Sequence, residues 1–216
     1  MDNYNEEQFK IDFPKTEIGK KLLAETPTWV TVSYSPSDVN LSSPRESHLT
    51  LQVAPFFYIL KLLEKKPKQI ADIGCGANFF KKFIPEIYGI DPVENPNVDQ
   101  LDYFDDVFSQ GHTNRFDCAM AINSIHFISL KDISKQLRSF SNIIKPGGRG
   151  FVTLNVQRMI EVTKSSDQVT NVSLSVYIKQ QVDQALPNVL SYDNYIHDGL
   201  NQSMNGNIRI VFEKEK

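Results

Sequence analysis

Apolar residues along the middle of the chain come in short runs, and amphipathic segments separate these runs. KQIADIG (68–74), EIYGID (86–91), FDCAMAIN (116–123) and GRGFVTLN (148–155) each have the length and apolar content of a buried strand. Between them, NFFKKFI predicts a short helix. SLKDISKQLRSFSNIIK predicts a longer helix, capped by Ser129 and stopped by the PGG that follows it. Strands that alternate with helices predict a parallel sheet covered on both faces.

The two ends of the chain differ from this middle part. Residues 1–66 predict an N-terminal extension, in which SSPRESHLTLQVAPFFYILKLLEKK forms a capped helix that is kinked at Pro55. After residue 155, VQRMIEVTK and SLSVYIKQQVDQAL have helical patterns. NVLSYDNYI and NIRIVFEK predict a hairpin at the edge of the sheet. We therefore expect an N-terminal helical cap, residues 1–66, on a core of residues 67–216.

Composition and charge narrow the classes of function. The 216 residues are 40% hydrophobic and 23% charged, as in a globular domain, and the formal net charge of −3 disfavours DNA or RNA as the main partner. Cys75 and Cys118 stand far apart and fit no metal-ligand spacing, so we expect free thiols and no metal site. The acidic N-terminus is unlike a signal peptide, and no apolar run approaches the ~20 residues that span a bilayer. We expect a cytoplasmic protein with no membrane partner.

The stretch IADIGCGANFF carries the first candidate chemistry. In an open parallel sheet, ligands bind beyond the carboxyl ends of the strands, and Gly74 and Gly76 would let the backbone approach a ligand there. The dinucleotide fingerprint G-x-G-x-x-G fails, because Phe79 occupies the third glycine position. The carboxylate of Asp72 instead suits a cationic ligand, and Asp91 at the end of the next strand can accept hydrogen bonds from ribose hydroxyls. A ligand with an ammonium group, a ribose and no phosphate is S-adenosyl-L-methionine.

Four blocks in order, IADIGCGANFF, YGIDP, FDCAMAINSIHFI and IIKPGGRGFVTLN, resemble the class I (Rossmann-like) S-adenosylmethionine-dependent methyltransferases. The first is similar to the D-x-G-x-G loop of that family, and the second to its ribose-acid motif. The resemblance covers about residues 67–155. It implies an α/β three-layer sandwich with a seven-stranded, mostly parallel sheet, whose antiparallel last strand lies between the fifth and the sixth. It also implies an enzyme that transfers a methyl group from S-adenosyl-L-methionine.

The resemblance assigns cofactor-binding roles to residues at the ends of the strands. These residues are Asp72, Gly74, Cys75, Gly76, Asn78, Asp91, Pro92, Asp102, Tyr103, Ala121 and Ile122. Asp102 would meet the adenine amino group, with Tyr103 as a stacking ring. That choice stays open, because NVDQLDYFDD also offers Asp99, Asp105 and Asp106.

Asn123 and His126 are the candidate catalytic residues, because AINSIHFI resembles the loop that faces the substrate in this family. Asn123 would touch substrate or cofactor, and His126 would act as a general base or a substrate contact, or else pack at a helix start. Amino-methylating DNA enzymes of this fold carry two prolines and an aromatic residue after the Asn or Asp. The chain lacks them, so base methylation of that type is not expected.

These features favour a small-molecule methyl acceptor, with an RNA or protein acceptor as the alternative. A nicotinamide-dependent oxidoreductase and a non-catalytic nucleotide-binding module are the rivals from other classes. The helix start SSPRESH could form a lid over the cofactor, with Arg45 and His48 facing the pocket.

Overall fold

The computed structural model describes residues 58–76, 78–94, 97–125, 132–155, 171–194 and 207–216, together with residues 12, 15–17 and 20. The chain divides into two compact units, Met1–Lys61 and Leu62–Lys216. Most of the expected N-terminal cap lies outside the described residues. The lid candidates Arg45 and His48 and the helix expected at residues 156–164 also lie outside them. Among the described residues, no helix is long and apolar enough to cross a membrane.

The second unit is built on one sheet, in which the described residues form seven strands. They are β1 (Ile70–Ile73), β2 (Ile87–Asp91), β3 (Gln100–Leu101), β4 (Phe116–Ile122), β5 (Ile144–Asn155), β6 (Val189–Asn194) and β7 (Asn207–Glu213). Their order is β3-β2-β1-β4-β5-β7-β6. The pairs among β1 to β5 are parallel, whereas β7 is antiparallel to both β5 and β6. The expected sheet, with an antiparallel last strand between the fifth and the sixth, is confirmed.

Helices pack around the sheet through the apolar faces that the sequence predicts. The described helices are a 3-10 helix (Phe79–Lys82), α1 (Asp106–Gly111), α2 (Ile133–Asn142) and α3 (Asn171–Ala185), and residues 58–63 are also helical. In α2, Ile133, Leu137 and Phe140 recur at helical spacing and are fully buried. Ile178 and Val182 bury the face of α3 in the same core.

One detail of the expected helices is wrong. NFFKKFI contains a short helix of the 3-10 type, in line with the expectation, but α2 ends at Asn142, before the PGG that was expected to stop it. Pro146 disfavours helical backbone at Lys145, which explains an early end. The PGG instead lies in the irregular start of β5, where the pairing with β4 shifts register between Phe116 and Cys118. Ser129, the expected cap, lies outside the described residues.

Candidate functional site

The carboxyl ends of β2, β1 and β4 lie side by side in the sheet, and we call this border the carboxyl edge. The loop after β1 is tied to β2 there, because the backbone N–H groups of Gly74 and Cys75 both donate to the carbonyl of Ile90. Gly74 and Gly76 adopt positive φ angles of 66° and 53°. Side chains are strained in that conformation, so both positions favour glycine.

The two glycines nevertheless serve different purposes. A Cβ built on Gly74 would lie 2.3 Å from the Cβ of Ser124, whose hydroxyl donates to the carbonyl of Ile73. Gly74 is thus needed for packing between the loops after β1 and β4. A Cβ on Gly76 would meet no atom of the described residues within 4 Å. Gly76 thus has open space on the side where a ligand could approach, whereas the space at Gly74 is filled by Ser124, and the cofactor role of both stays a prediction.

Asp91, the last residue of β2, holds the glycine loop through a hydrogen bond to its backbone. It is 8% exposed, and its two oxygens accept hydrogen bonds from the backbone N–H of Gly76 at 2.8 Å and of Val93 at 2.9 Å. Each carboxylate oxygen has a further lone pair, so Asp91 can still accept hydrogen bonds from a ligand. The neighbouring Pro92 is exposed.

Asp72 is a buried carboxyl group to which no described residue donates a hydrogen bond. It is 4% exposed and lies in β1 between Gly89 of β2 and Met120 of β4. Burial, and after it the charge of Asp91, raises the pKa of Asp72 from 3.8 to about 8. Buried charged groups are normally paired, so this carboxyl suits a cationic ligand.

Asn78 and Cys75 support the loop from the side of β2. Asn78 has a φ of 49°, is 1% exposed and donates through Nδ2 to the carbonyl of Asn97 at 2.7 Å, while its Oδ1 is buried without a partner. A Cβ on Gly89 would lie 2.2 Å from that Nδ2 and 2.8 Å from the Cys75 sulfur. Burial raises the pKa of the Cys75 thiol to about 12, which rules against a nucleophilic thiolate.

The four candidate aspartates between β2 and α1 differ in the groups that their carboxylates contact. Asp99 accepts from the backbone N–H of Gly89 and pairs with Lys81, so it closes the loop before β3. Asp105 caps α1 by accepting from the N–H of Phe108. Asp106 pairs with Lys135. These three carboxylates therefore stabilise the fold through contacts within the chain.

Asp102 remains as the candidate next to the Asp91 site. Its backbone N–H donates to the carbonyl of Asp91 at 3.2 Å, which holds it at the carboxyl edge directly after β3. Among the described residues, its carboxylate accepts hydrogen bonds from two neighbours in sequence, the side chain of Gln100 and the backbone N–H of Tyr103. Tyr103 is 71% exposed, so its ring is available for stacking.

The end of β4 brings the substrate-side candidates to the same edge. Ala121 is fully buried in the core, so its side chain offers a ligand no surface, whereas Ile122 and Asn123 are partly exposed. Asn123 has a φ of 53° and forms hydrogen bonds with Thr153 at the end of β5. His126 lies outside the described residues.

The structure thus brings Asp72, Gly76, Asp91, Asp102 and Asn123 to one edge of the sheet. Sequence reasoning missed Thr153, Ser124 and Gly89, which position these residues. A threonine inside the apolar run FVTLN was the available signal for Thr153. Within the described ranges, no group of His, Cys, Asp and Glu side chains could hold a metal ion.

Comparison with known proteins rests on structure, because no family model and no curated protein sequence matches the chain. A protein assigned as a sarcosine dimethylglycine methyltransferase from Galdieria sulphuraria superposes with a TM-score of 0.53 at 12% identity, over 87% of this chain and 96% of that one. The N-methyltransferase NodS from Bradyrhizobium japonicum WM9 has a TM-score of 0.48 at 12% identity, over 74% and 94% of the two chains. A 16S rRNA adenine methyltransferase from Catenulisporales acidiphilia, solved with its cosubstrate, has a TM-score of 0.47 at 12% identity, over 75% and 91%. The strand order and the first of these structures show that the chain has the Rossmann-like fold of the class I S-adenosylmethionine-dependent methyltransferases.

Proposed function

We propose that the chain is an S-adenosylmethionine-dependent methyltransferase that acts on a small molecule. The observation that carries the proposal is Asp72, a buried carboxyl without a donor among the described residues. It interacts with the charge of Asp91, and its strand leads into Gly76, where a Cβ would meet no described atom within 4 Å. An isolated buried acid costs stability. A ligand that brings a positive charge to the carboxyl edge offsets that cost.

The residues present fit the cosubstrate group by group. Asp72 would hold the ammonium group, Asp91 the ribose hydroxyls and Asp102 the adenine amino group, while Gly76 leaves space for the ligand beside the backbone. When bound, S-adenosyl-L-methionine supplies a methyl group activated by a positive sulfur. The protein needs to align the acceptor and exclude water, and this requires no catalytic triad.

Asn123 is our candidate for the residue that borders the methyl acceptor, and Ile122 beside it is a candidate cofactor contact. Both are partly exposed at the end of β4, and Ser124 ties this end to β1. His126 follows in sequence, and we retain it as a candidate general base. The overall charge of −3 favours a small-molecule acceptor over RNA.

The rival function is a nicotinamide-dependent oxidoreductase on a similar sheet. A dinucleotide would bring its pyrophosphate to the first glycine loop, and Asp72 and Asp91 lie beside that loop. A carboxylate repels a phosphate and attracts a cation, and a bound cation also favours the ionised form of Asp72. The arrangement of charges therefore favours the methyl donor.

Isothermal titration calorimetry with S-adenosylhomocysteine and with NAD tests the proposal. We expect S-adenosylhomocysteine to bind with one site per chain and NAD to give no heat above dilution. A labelled-methyl transfer assay with small metabolites, total RNA and a protein mixture then distinguishes the acceptor classes and separates an enzyme from a non-catalytic binding module. Binding of NAD alone would overturn the proposal.

A further inference from the structure

Thr153 is a buried polar residue in the otherwise apolar end of β5. It is 5% exposed, between Val152 and Leu154, which are 0% and 1% exposed. Its partner in the β4 ladder is Ile122, so it lies beside the start of the loop that carries Asn123. A buried hydroxyl group needs hydrogen-bond partners, and these partners reveal what it holds in place.

The hydrogen bonds of Thr153 fix the side chain of Asn123. The Thr153 hydroxyl oxygen accepts from the backbone N–H of Asn123 at 2.8 Å, and the hydroxyl donates to Oδ1 of Asn123 at 2.8 Å. The same N–H also lies 3.2 Å from the Thr153 carbonyl. Two short hydrogen bonds thus hold both the left-handed backbone of Asn123 and its side chain.

These bonds also set the orientation of the Asn123 amide group. The hydroxyl proton of Thr153 needs an acceptor, and among the described residues that acceptor is the Asn123 amide. Only the oxygen of the amide can accept, so the oxygen faces Thr153. The amide nitrogen Nδ2 then points away from Thr153. No described residue accepts a hydrogen bond from Nδ2, and this nitrogen is not a buried atom that lacks a partner.

We propose that Thr153 is a positioning residue that makes Asn123 present its NH2 group, a hydrogen-bond donor, at the carboxyl edge. The inference rests on the proposed methyltransferase function and adds the acceptor class. A donor at this place binds an oxygen of the methyl acceptor, such as a carboxylate or a phenolate. The amide oxygen already accepts from Thr153 and is held towards β5, so the NH2 group is the part of the amide that is turned to a ligand.

Side-chain amide NMR of 15N-labelled protein tests the positioning directly. Thr153→Val keeps the shape of the side chain and removes both hydrogen bonds, whereas Thr153→Ser keeps the hydroxyl. Thr113→Val, at an exposed hydroxyl near the end of α1, is the matched control. We expect the Asn123 NH2 signals to shift and broaden in Thr153→Val and to stay as in the wild type in the other two variants. Unchanged signals in a folded Thr153→Val protein would overturn the proposal.

Methyl transfer to paired probes tests the acceptor class. Benzoate and phenol carry an oxygen that can accept a hydrogen bond from the NH2 group, and benzylamine and aniline are their amine counterparts. We expect the wild type to prefer the oxygen-bearing probes, Thr153→Val to lose about tenfold in kcat/KM, and Asn123→Asp to shift the preference towards the amines. Transfer to the amines alone, or to none of the oxygen-bearing probes, would overturn the assignment. Wild-type protein that fails to bind S-adenosylhomocysteine would refute the proposed function instead, since the NMR result does not depend on the cofactor.

Discussion

Two aspartates at opposite ends of the parallel strands have opposite environments. Asp117 lies at the amino end of β4, where it accepts from the backbone N–H of Lys68 at 2.8 Å and of Gln69 at 3.1 Å and pairs with Lys145 at 2.6 Å. Burial alone would raise the pKa of Asp117, but these partners outweigh it and the pKa lies below its ordinary value. Asp72, near the carboxyl end of β1, has no such donors in the part of the chain that the structure describes, and its pKa is raised to about 8.

The difference separates an acid that stabilises the fold from one that, in our proposal, binds a ligand. Asp117 has its charge satisfied within the chain, so its carboxylate contributes to folding. The carboxyl of Asp72 destabilises the free protein when it ionises, because no described residue compensates its charge. Substitutions at the two ends should therefore affect different properties.

Asp91→Ala should have the largest effect on binding at the carboxyl edge, a loss of about a hundredfold in affinity for S-adenosylhomocysteine. The substitution removes the charge-assisted hydrogen bonds to a ribose and the support of Gly76 and Val93. Calorimetry measures the loss, with Asp117→Ala as the matched control that should bind as the wild type does. An unchanged dissociation constant in a folded Asp91→Ala protein would contradict the ribose role.

Asp117→Ala should destabilise the fold by about 2 kcal/mol without affecting the ligand site. The variant leaves the N–H groups of Lys68 and Gln69 without their acceptor. For a chain of this size the melting temperature should fall by roughly 4–8 °C in a calorimetric scan. A change in cofactor affinity larger than the change in stability would break the division between the two ends of the sheet.

Asp72→Asn should weaken cofactor binding by about tenfold and stabilise the free protein. The amide keeps the shape of the side chain but has no charge for an ammonium group. In the wild type, the unfolded chain ionises Asp72 near 3.8 and the folded chain only near 8, so stability is lost as the pH rises through that range.

Asparagine removes this loss, so the stability gain of Asp72→Asn should grow with pH across the same range. Thermal unfolding of both proteins at acid, neutral and mildly alkaline pH measures it. Identical melting temperatures throughout would show that Asp72 is not an uncompensated acid.

The last effect is on the pH dependence of cofactor binding: the affinity should rise with pH between about pH 6 and 7.5, by up to about tenfold per pH unit for one released proton. A cationic ligand favours the ionised form of Asp72, so binding releases the proton that the free carboxyl holds below its pKa of about 8. Calorimetry in two buffers of different ionisation heat counts the released protons. Asp72→Asn should lose this dependence, and an affinity that falls over the range would contradict the assignment.

The sequence predicts the sheet and the edge of the site well, because both depend on local patterns. Runs such as IADI and FDCAMAI fix strands, and the spacing of Asp72, Gly76 and Asp91 places them at strand ends. The roles of Asp99 and Asp105 could not be predicted, since each depends on a backbone N–H that only the folded chain brings near. The six residues of α1 are too few to show a helical period.

The contact of Gly74 with Ser124 couples the two halves of the site mechanically. Ser124 fills the space that a side chain at Gly74 would need, and its hydroxyl holds the carbonyl of Ile73. A bulkier residue at position 124 would push on the first loop as well as on its own. A substitution of this serine would therefore disturb the first glycine loop as well, so the proposed acceptor contacts are better tested at Asn123 and Thr153.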